Sequence, residues 1–315
     1  MNRINVGIIG FGNIGRKRLY YLRKIKNFNI KIIYVCDKNF EYSFKKNNIN
    51  FINKWEKIDL LKLDILIVST PTFISEKILP KLVGKIPILV DKPGTINLQK
   101  LKKLTNISNK LFKLFKIGYN LRYDDGITYV KKLLDTKKIG KIYHLKITYT
   151  NGTALTNTNK VGSLIDMGSH SINLLQWLLN KDNLKIKYNT LQKNEFMKRK
   201  LNDNGFINFK LDNIICFVHH GFCNWKNKFE LEIVGSKGYI QVDSLAKWNK
   251  QKIILGKRTL PSGSPKIKVK TFSKDNSWMN EMKFVFKNLN NKKLLKKINN
   301  EGLNTLKIIN LLKKR

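Results

Sequence analysis

The sequence predicts a two-domain chain: an α/β domain built on a doubly wound parallel sheet, then an α+β domain with a large, mainly antiparallel sheet. Three observations predict it. Between Ile4 and Ile117 short apolar runs alternate with helical patterns, the rhythm of βαβ units. Those runs are continuously apolar, as required when helices cover both faces of a sheet. Beyond Tyr119 strand follows strand across short turns, which is the pattern of an antiparallel sheet.

The first strand is read over 4–9 (INVGII), ending at Gly10, and the first helix over 13–26. A second strand, 30–36, ends at Asp37. A weak helix and a short strand come next, then a strand at 65–68, a helix at 72–83, a strand at 86–90, a helix at 97–109 and a strand at 111–117. In the second part a helix (123–134) and a strand (142–150) precede a Gly/Asn/Thr-rich loop, 151–162, and a strong helix spans 163–179. Strands are expected at 184–192, 205–211, 214–219, 228–234, 238–243, 251–255 and 266–272, before two closing helices near 276–290 and 302–313. The domains are set at 1–119 and 120–315, with no internal repeat and no Pro- or Ser-rich linker.

Composition narrows the class. The chain has 315 residues, 42% of them hydrophobic and 10% aromatic, which is an ordinary folded composition. The start, MNRINVGIIG, enters an apolar strand at once and lacks the pattern of a signal peptide. No apolar run approaches the roughly 18–20 residues needed to span a bilayer. Cys36, Cys216 and Cys223 are too few and too scattered for a disulfide framework, and they lack metal-ligand spacing. A cytoplasmic protein with neither a membrane span nor a metal site is expected.

The net charge of +41 raises nucleic acid as a partner. Yet only eight of the 62 basic residues are Arg, the side chain suited to bidentate phosphate and base recognition. Lys, Asn and Ile, all with A/T-rich codons, are used heavily, and the lysines are spread over nearly every segment. Clustered Arg and aromatic platforms for bases are missing. The charge is read as compositional bias that also attracts small anions, and no specific nucleic-acid partner is expected.

Gly10-Phe11-Gly12-Asn13-Ile14-Gly15 is a GxGxxG that follows a strand and opens a helix, the context that gives this pattern weight. Gly10 permits the tight turn, Gly12 lets backbone approach a pyrophosphate, and Gly15 lets the helix pack on the strand. The phosphates would face the unpaired N–H groups of a helix N-terminus. Asp37 ends the second strand, 22 residues after Gly15. An acid there accepts hydrogen bonds from ribose hydroxyls and repels a 2′-phosphate, which favours NAD over NADP. The adjacent Lys38 weakens that preference, so NADP stays open.

Three further segments narrow the reading: Ser69-Thr70-Pro71 and Asp91-Lys92-Pro93 at strand ends, and Gly162-Ser163-Leu164-Ile165-Asp166-Met167-Gly168-Ser169-His170 at the start of the long helix. With the GxGxxG they resemble the Gfo/Idh/MocA oxidoreductase family over essentially the whole chain. Its pattern runs (S/T)-T-P, then E-K-P, then a glycine-led D-x-G-x-H. Phe229 to Val242, FELEIVGSKGYIQV, resembles the family's hairpin in the C-terminal sheet.

The resemblance implies an NAD(P)-dependent dehydrogenase or reductase acting on the CH–OH group of a sugar, polyol or nucleotide-linked sugar. Lys92, at the carboxyl end of a parallel strand, would hydrogen-bond the reacting oxygen and stabilise its developing charge. His170 would take the hydroxyl proton. Asp166, four residues earlier, is expected on the same helix face, where it would orient the imidazole or bind a substrate hydroxyl. Ser69, Thr70, Pro71, Asp91, Lys92 and Pro93 join the GxGxxG residues and Asp37 around the cofactor. Asn120 and Arg122, in GYNLRYDDG, resemble the family's N-x-R segment and are candidate substrate contacts. Arg122 is equally readable as a structural pair with Asp124 or Asp125.

There are departures. Asp91 replaces the usual Glu, and Ser75 stands about where the family often has a His. His144 is read as strand surface, and His219 and His220 as at most a pocket edge. Loop 151–162 suits hydroxyl recognition, and Trp225, Trp248 and Trp278 are candidates to stack on a sugar face, although a tryptophan in a sheet domain is more often core. The stretch WKNKFELEIVGSKGYIQVD, with Asp275 and Trp278, resembles members associated with surface-glycan sugars. A homo-oligomer, dimer or tetramer, is expected through the C-terminal sheet. The competing class is a non-catalytic Rossmann protein that binds nucleotide or sugar and acts through a partner; intact Lys92, Asp166 and His170 argue against it.

Overall fold

A computed structural model describes residues 3–153, 161–194 and 201–314. The backbone divides into two compact units. One comprises the residues up to Asn120 with Trp278–Leu303, and the other Leu121–Ser277 with the residues from Asn304.

The first unit is built on seven strands: β1 (Arg3–Ile9), β2 (Asn29–Cys36), β3 (Phe44–Lys46), β4 (Ile49–Ile52), β5 (Ile65–Val68), β6 (Ile88–Asp91) and β7 (Phe115–Gly118). They lie in the order β3-β4-β2-β1-β5-β6-β7. All neighbours are parallel except β3 and β4. Helices α1 (Asn13–Lys24), α2 (Thr72–Leu82) and α3 (Leu98–Lys110) follow β1, β5 and β6. Val6, Ile8, Ile65, Ile67 and Leu89 are fully buried, so the unbroken apolar runs have the cause expected of a covered parallel sheet.

Two expectations for this unit need correction. Between Asp37 and Asp64 there is no α-helix; a β3–β4 hairpin and two short 3-10 turns stand there instead. Its turn is Asn47-Asn48, with φ of 49° and 62°. Asn tolerates the left-handed region, and two such residues make the turn whose twist matches a hairpin. The C-terminal helices were placed in the second domain, but α6 (Ser277–Asn288) and most of α7 (Lys292–Lys313) group with the first unit. Met282, Val285, Phe286, Leu289, Leu295 and Ile298 join the same core as Val6, Ile8 and Leu19. Helix α7 begins ten residues before the expected 302, its first N–H groups, those of Leu294 and Leu295, donating to the Asn291 carbonyl.

The second unit carries eight strands: β8 (Ile142–Thr150), β9 (Lys185–Gln192), β10 (Asn204–Leu211), β11 (Ile214–Gly221), β12 (Lys228–Gly235), β13 (Gly238–Asp243), β14 (Gln251–Lys257) and β15 (Lys266–Phe272). Their order is β15-β14-β13-β12-β8-β11-β10-β9, and only β8 and β11 pair in parallel. Burial alternates along them: Leu145, Ile147 and Tyr149 of β8, and Phe229, Leu231 and Ile233 of β12, are buried. Helix α5 (Ser169–Leu178) packs against β8 and β11. The opposite face exposes Phe206, Ile215 and Phe217. Helix α4 (Asp125–Asp135) is capped by Asp124, whose Oδ1 accepts from Ile127 N–H at 3.1 Å.

Candidate functional site

In the first unit the cofactor motif has the form its residues require. Gly10 has φ of +92°, and a Cβ there would lie 2.6 Å from the Ser69 carbonyl oxygen. A Cβ on Gly15 would fall 2.0 Å from the Gly10 oxygen, so only glycine lets α1 pack on the turn. Gly12 differs, since a Cβ there would meet nothing within 4 Å. Gly12 also caps α1 without a side-chain hydrogen bond, and the first turn of α1, from Asn13, carries no acid. Open space in front of uncapped helix N–H groups fits a pyrophosphate.

Asp37 stands over this turn. Its Oδ2 accepts from Phe11 N–H at 2.6 Å and its Oδ1 from Asn39 N–H at 2.9 Å. Two backbone donors fix the carboxylate at the end of β2, where a ribose would meet it. At the end of β5, Ser69 N–H donates to the Ile9 carbonyl, while the Ser69 hydroxyl is buried without a hydrogen-bond partner. Thr70 Oγ1 meets Ser75 Oγ at 2.9 Å, and Pro71 caps α2. Ser75, buried about where the family resemblance implies a His, fastens the Thr70 turn.

Lys92 follows directly on β6 and is half-buried. Its peptide bond to Pro93 is cis, and Gly94, with φ of +69°, continues the turn. Glu76 of α2 accepts from the Thr95 hydroxyl at 2.6 Å and from Ile96 N–H at 3.1 Å, clamping the loop after Lys92. Asp91, an expected neighbour of the cofactor, has its Oδ1 held by Arg18 of α1, whose other guanidinium nitrogen reaches Glu281 Oε2 at 2.8 Å. Arg18 is fully buried, and its guanidinium lies 4.6 Å from the centre of the Trp278 ring. Sequence reasoning missed Arg18 and Glu281, which lie 263 residues apart, because local spacing cannot show such a pair.

In the second unit the D-x-G-x-H segment opens not with a regular α-helix but with a π-helical turn, Leu164–Gly168, that runs into α5. Such turns gather at functional sites. Asp166 lies within this turn, and His170 follows four residues later in the first turn of α5. Asp166 is half-buried and His170 is buried, and Asp166 is the one residue between Ser163 and Gln176 that is not buried.

His220, read from the sequence as at most a pocket edge, is fully buried beneath this turn. Its Nδ1 lies 3.0 Å from Ser163 Oγ, at the start of the turn. A Cβ on Gly168 would come within 3.1 Å of the His220 ring and one on Gly205 within 2.7 Å, so the imidazole occupies a slot between two glycines. Burial lowers its pKa to about 3, which keeps it neutral.

The remaining candidates separate. Asn120 is half-buried in the first unit. In the second, Arg122 is buried, with its guanidinium 5.6 Å from the Tyr123 ring centre and 5.7 Å from that of Trp177. Asp124 caps α4, and Asp125 accepts from Asn276 at 2.8 Å. His144 faces Glu232 at 3.6 Å on the strand surface. Trp225 is 80% exposed, Trp278 is occupied by Arg18, and Trp248 lies against Tyr149. Most of loop 151–162, residues 154–160, lies outside the described residues. Among the described residues no three His, Cys, Asp or Glu side chains group as metal ligands, and no helix is long and apolar enough to cross a membrane.

A glycine-turn Rossmann unit with an acid at the end of its second strand, followed by a unit built on a large, mainly antiparallel sheet, is the architecture of a two-domain NAD(P)-binding protein. The family model for the oxidoreductase family with NAD-binding Rossmann fold matches residues 4–119, and the GFO/IDH/MocA C-terminal domain matches 127–241. The chain belongs to the GFO/IDH/MocA oxidoreductase family. It is 29% identical over 216 residues to glucose-6-phosphate 3-dehydrogenase of Bacillus subtilis (strain 168), covering 63% of this chain and 61% of that protein. It is 24% identical over 259 residues to inositol 2-dehydrogenase of Serratia proteamaculans (strain 568), covering 75% and 72%. Among solved structures, a 3-ketoreductase from Actinomadura kijaniata in complex with NADP and TDP-benzene superposes with a TM-score of 0.82 at 14% identity, covering 99% of this chain and 98% of that one.

Proposed function

We propose that the protein oxidises or reduces a hydroxyl-bearing or keto carbon of a sugar, polyol or nucleotide-linked sugar, with NAD as the preferred coenzyme. The observation that carries this reading is the intact set of chemical groups: a fixed acid at the end of β2, Lys92 at the end of β6, and Asp166 and His170 at the start of α5. The nicotinamide, when bound, accepts or returns the hydride. Lys92 hydrogen-bonds the reacting oxygen and offsets its negative charge as the C–H bond breaks. His170 takes the hydroxyl proton in oxidation and returns it in reduction. Asp166 binds a neighbouring substrate hydroxyl or steadies the imidazolium. Gly10 to Gly15, Ser69, Thr70, Pro71, Asp91, Lys92 and Pro93 shape the coenzyme's surroundings, and Asn120 and Arg122 are assigned to substrate contact. A sugar or cyclic polyol agrees with the dehydrogenase names of both relatives. A role in surface-glycan synthesis is the narrower form of this reading.

A homo-oligomer formed through the exposed sheet face belongs to the same proposal, supported by Phe206, Ile215 and Phe217, each more than 40% exposed on adjacent strands. A cytoplasmic location is supported by Cys36, Cys216 and Cys223, all free thiols. Thermal-shift titration with NADH and NADPH in parallel, followed by a sugar and polyol screen that reads coenzyme absorbance, tests the activity. A larger shift with NADH and turnover of at least one sugar are expected. No shift with either coenzyme removes the basis of the reading, and a monomeric mass in solution scattering removes the oligomer.

A further inference from the structure

In the second unit an aromatic cluster and one lysine gather beside His170. Tyr149, at the end of β8 and 4% exposed, meets the His170 ring edge-on at 5.7 Å between centroids. Phe229 meets it from β12 at 5.8 Å, and Trp248 lies tilted against it at 5.7 Å. Lys247 Nζ donates to the Tyr149 hydroxyl at 2.9 Å. The same ammonium lies 4.5 Å from the Trp248 ring centre and 5.3 Å from that of Tyr149.

The topology explains the meeting. Thr150 of β8 pairs with Lys228 of β12, and Asp243 of β13 pairs with Glu230. The segment 244–250 therefore leaves β13 at the sheet end where Tyr149 sits. Lys247 is exposed, yet a hydrogen bond and two ring faces hold its head. Among the described residues no carboxylate neutralises it. An exposed lysine ordinarily spreads over many rotamers and loses that freedom when it grips a ligand. Here the ammonium is already in place, so an anion reaching it forgoes much of that cost.

We propose that Lys247 and Trp248 form a subsite for an anionic substituent of the sugar, a phosphate or a carboxylate. Trp248 lies against the sugar ring and Lys247 pairs with the charge. The inference rests on the sugar-oxidoreductase reading above and narrows it to acidic sugars. The aromatic face suits the C–H side of a pyranose, and the ammonium is a point charge that takes phosphate and carboxylate alike.

The test uses the full chain, with glucose, glucose 6-phosphate and glucuronate as probes, calorimetric binding in the presence of NADH, and turnover with NAD. In the wild type at least one anionic sugar binds about tenfold or more tightly than glucose, as befits one charge-assisted hydrogen bond. In Lys247→Met that ratio falls toward one, and in Tyr149→Phe, which releases the ammonium, it falls partway. In Lys250→Met, an exposed lysine three residues on, the ratio stays. Equal affinity for the three sugars, no binding of either anionic sugar, or a Lys250→Met loss as large as that of Lys247→Met overturns the proposal; the last result traces the preference to the overall positive field. Unequal affinities for glucose 6-phosphate and glucuronate distinguish phosphate from carboxylate. Lys247-dependent binding without turnover of any sugar leaves the subsite standing and removes the dehydrogenase reading. Equal turnover of glucose and glucose 6-phosphate does the reverse.

Discussion

Arg18 Nη2 lies 2.5 Å from Asp91 Oδ1, so the first helix of the Rossmann unit holds the residue that immediately precedes Lys92. Arg18 also binds Glu281 and is wholly buried, as is the Glu281 side chain. Desolvation opposes the charge on Arg18, and the two carboxylates restore it, with the net result that its pKa is raised. Such a triad is costly to break because each partner left behind is an unpaired buried charge.

Arg18→Leu is therefore expected to destabilise the protein by about 3–5 kcal/mol in urea unfolding. The double variant Arg18→Leu/Glu281→Leu is expected to recover a substantial part of that loss, since one stranded carboxylate is removed with its partner. A single-variant cost under about 1 kcal/mol, the range of exposed pairs, is incompatible with a buried ion triad.

Coenzyme choice is expected to turn on Asp37. Its carboxylate is held by the N–H groups of Phe11 and Asn39, so it cannot swing aside without giving up both hydrogen bonds. A 2′-phosphate would sit against a fixed negative charge. Asp37→Ser is expected to weaken NADH binding about tenfold, the worth of a lost charge-assisted hydrogen bond, and to bring NADPH to equal or better affinity. Direct titration by nucleotide fluorescence decides it, and an unchanged NADH to NADPH ratio would remove Asp37 from the specificity argument.

The catalytic assignments carry a kinetic expectation. Lys92→Ala and His170→Ala should each lower kcat by about 10²–10⁴, the span of a positioned charge stabiliser or proton acceptor. Both variants should still show the thermal shift with NADH, because the Gly10–Gly15 turn and Asp37 are untouched. Wild-type kcat in both variants would remove Lys92 and His170 from the catalytic assignment.

How far the sequence carried this reading depends on the range of the interactions. The parallel sheet was legible because each buried strand writes its own apolar run, and Gly10, Gly12 and Gly15 because each answers a local backbone constraint. The β3–β4 hairpin was missed although Asn47-Asn48 is a turn signal; its strands are too short and too polar to show a period. The return of α6 to the first unit was invisible, since Met282 and Val285 mark an apolar face without saying which sheet it covers. Arg18 with Glu281, and Lys247 with Tyr149, belong to the same class: long-range meetings that no spacing rule reports. The π turn at Asp166 was hidden for another reason: its residues keep an ordinary helical pattern, and the His220 on which it packs lies on a distant strand.

That packing has a pH signature. His220 sits neutral between Gly168 and Gly205, beside the Ser163 hydroxyl, and burial lowers its pKa from 6.5 to about 3. In the unfolded chain the imidazole takes up a proton below about 6.5, while in the folded chain it stays neutral down to about 3. The unfolded state thus binds more protons in that window, and stability must fall as pH falls through it. The full slope from this one group is about 1.4 kcal/mol per pH unit. Urea unfolding between pH 7 and pH 4.5 should show the wild type losing stability more steeply than His220→Asn, whose amide can still meet Ser163 but does not titrate. His220→Leu should flatten the slope equally, yet lower kcat more than His220→Asn does, because the start of the π turn loses its hydrogen bond. Identical slopes in wild type and His220→Asn would mean that His220 is not held neutral, and equal kcat in the two variants would confine its role to filling space beneath Gly168.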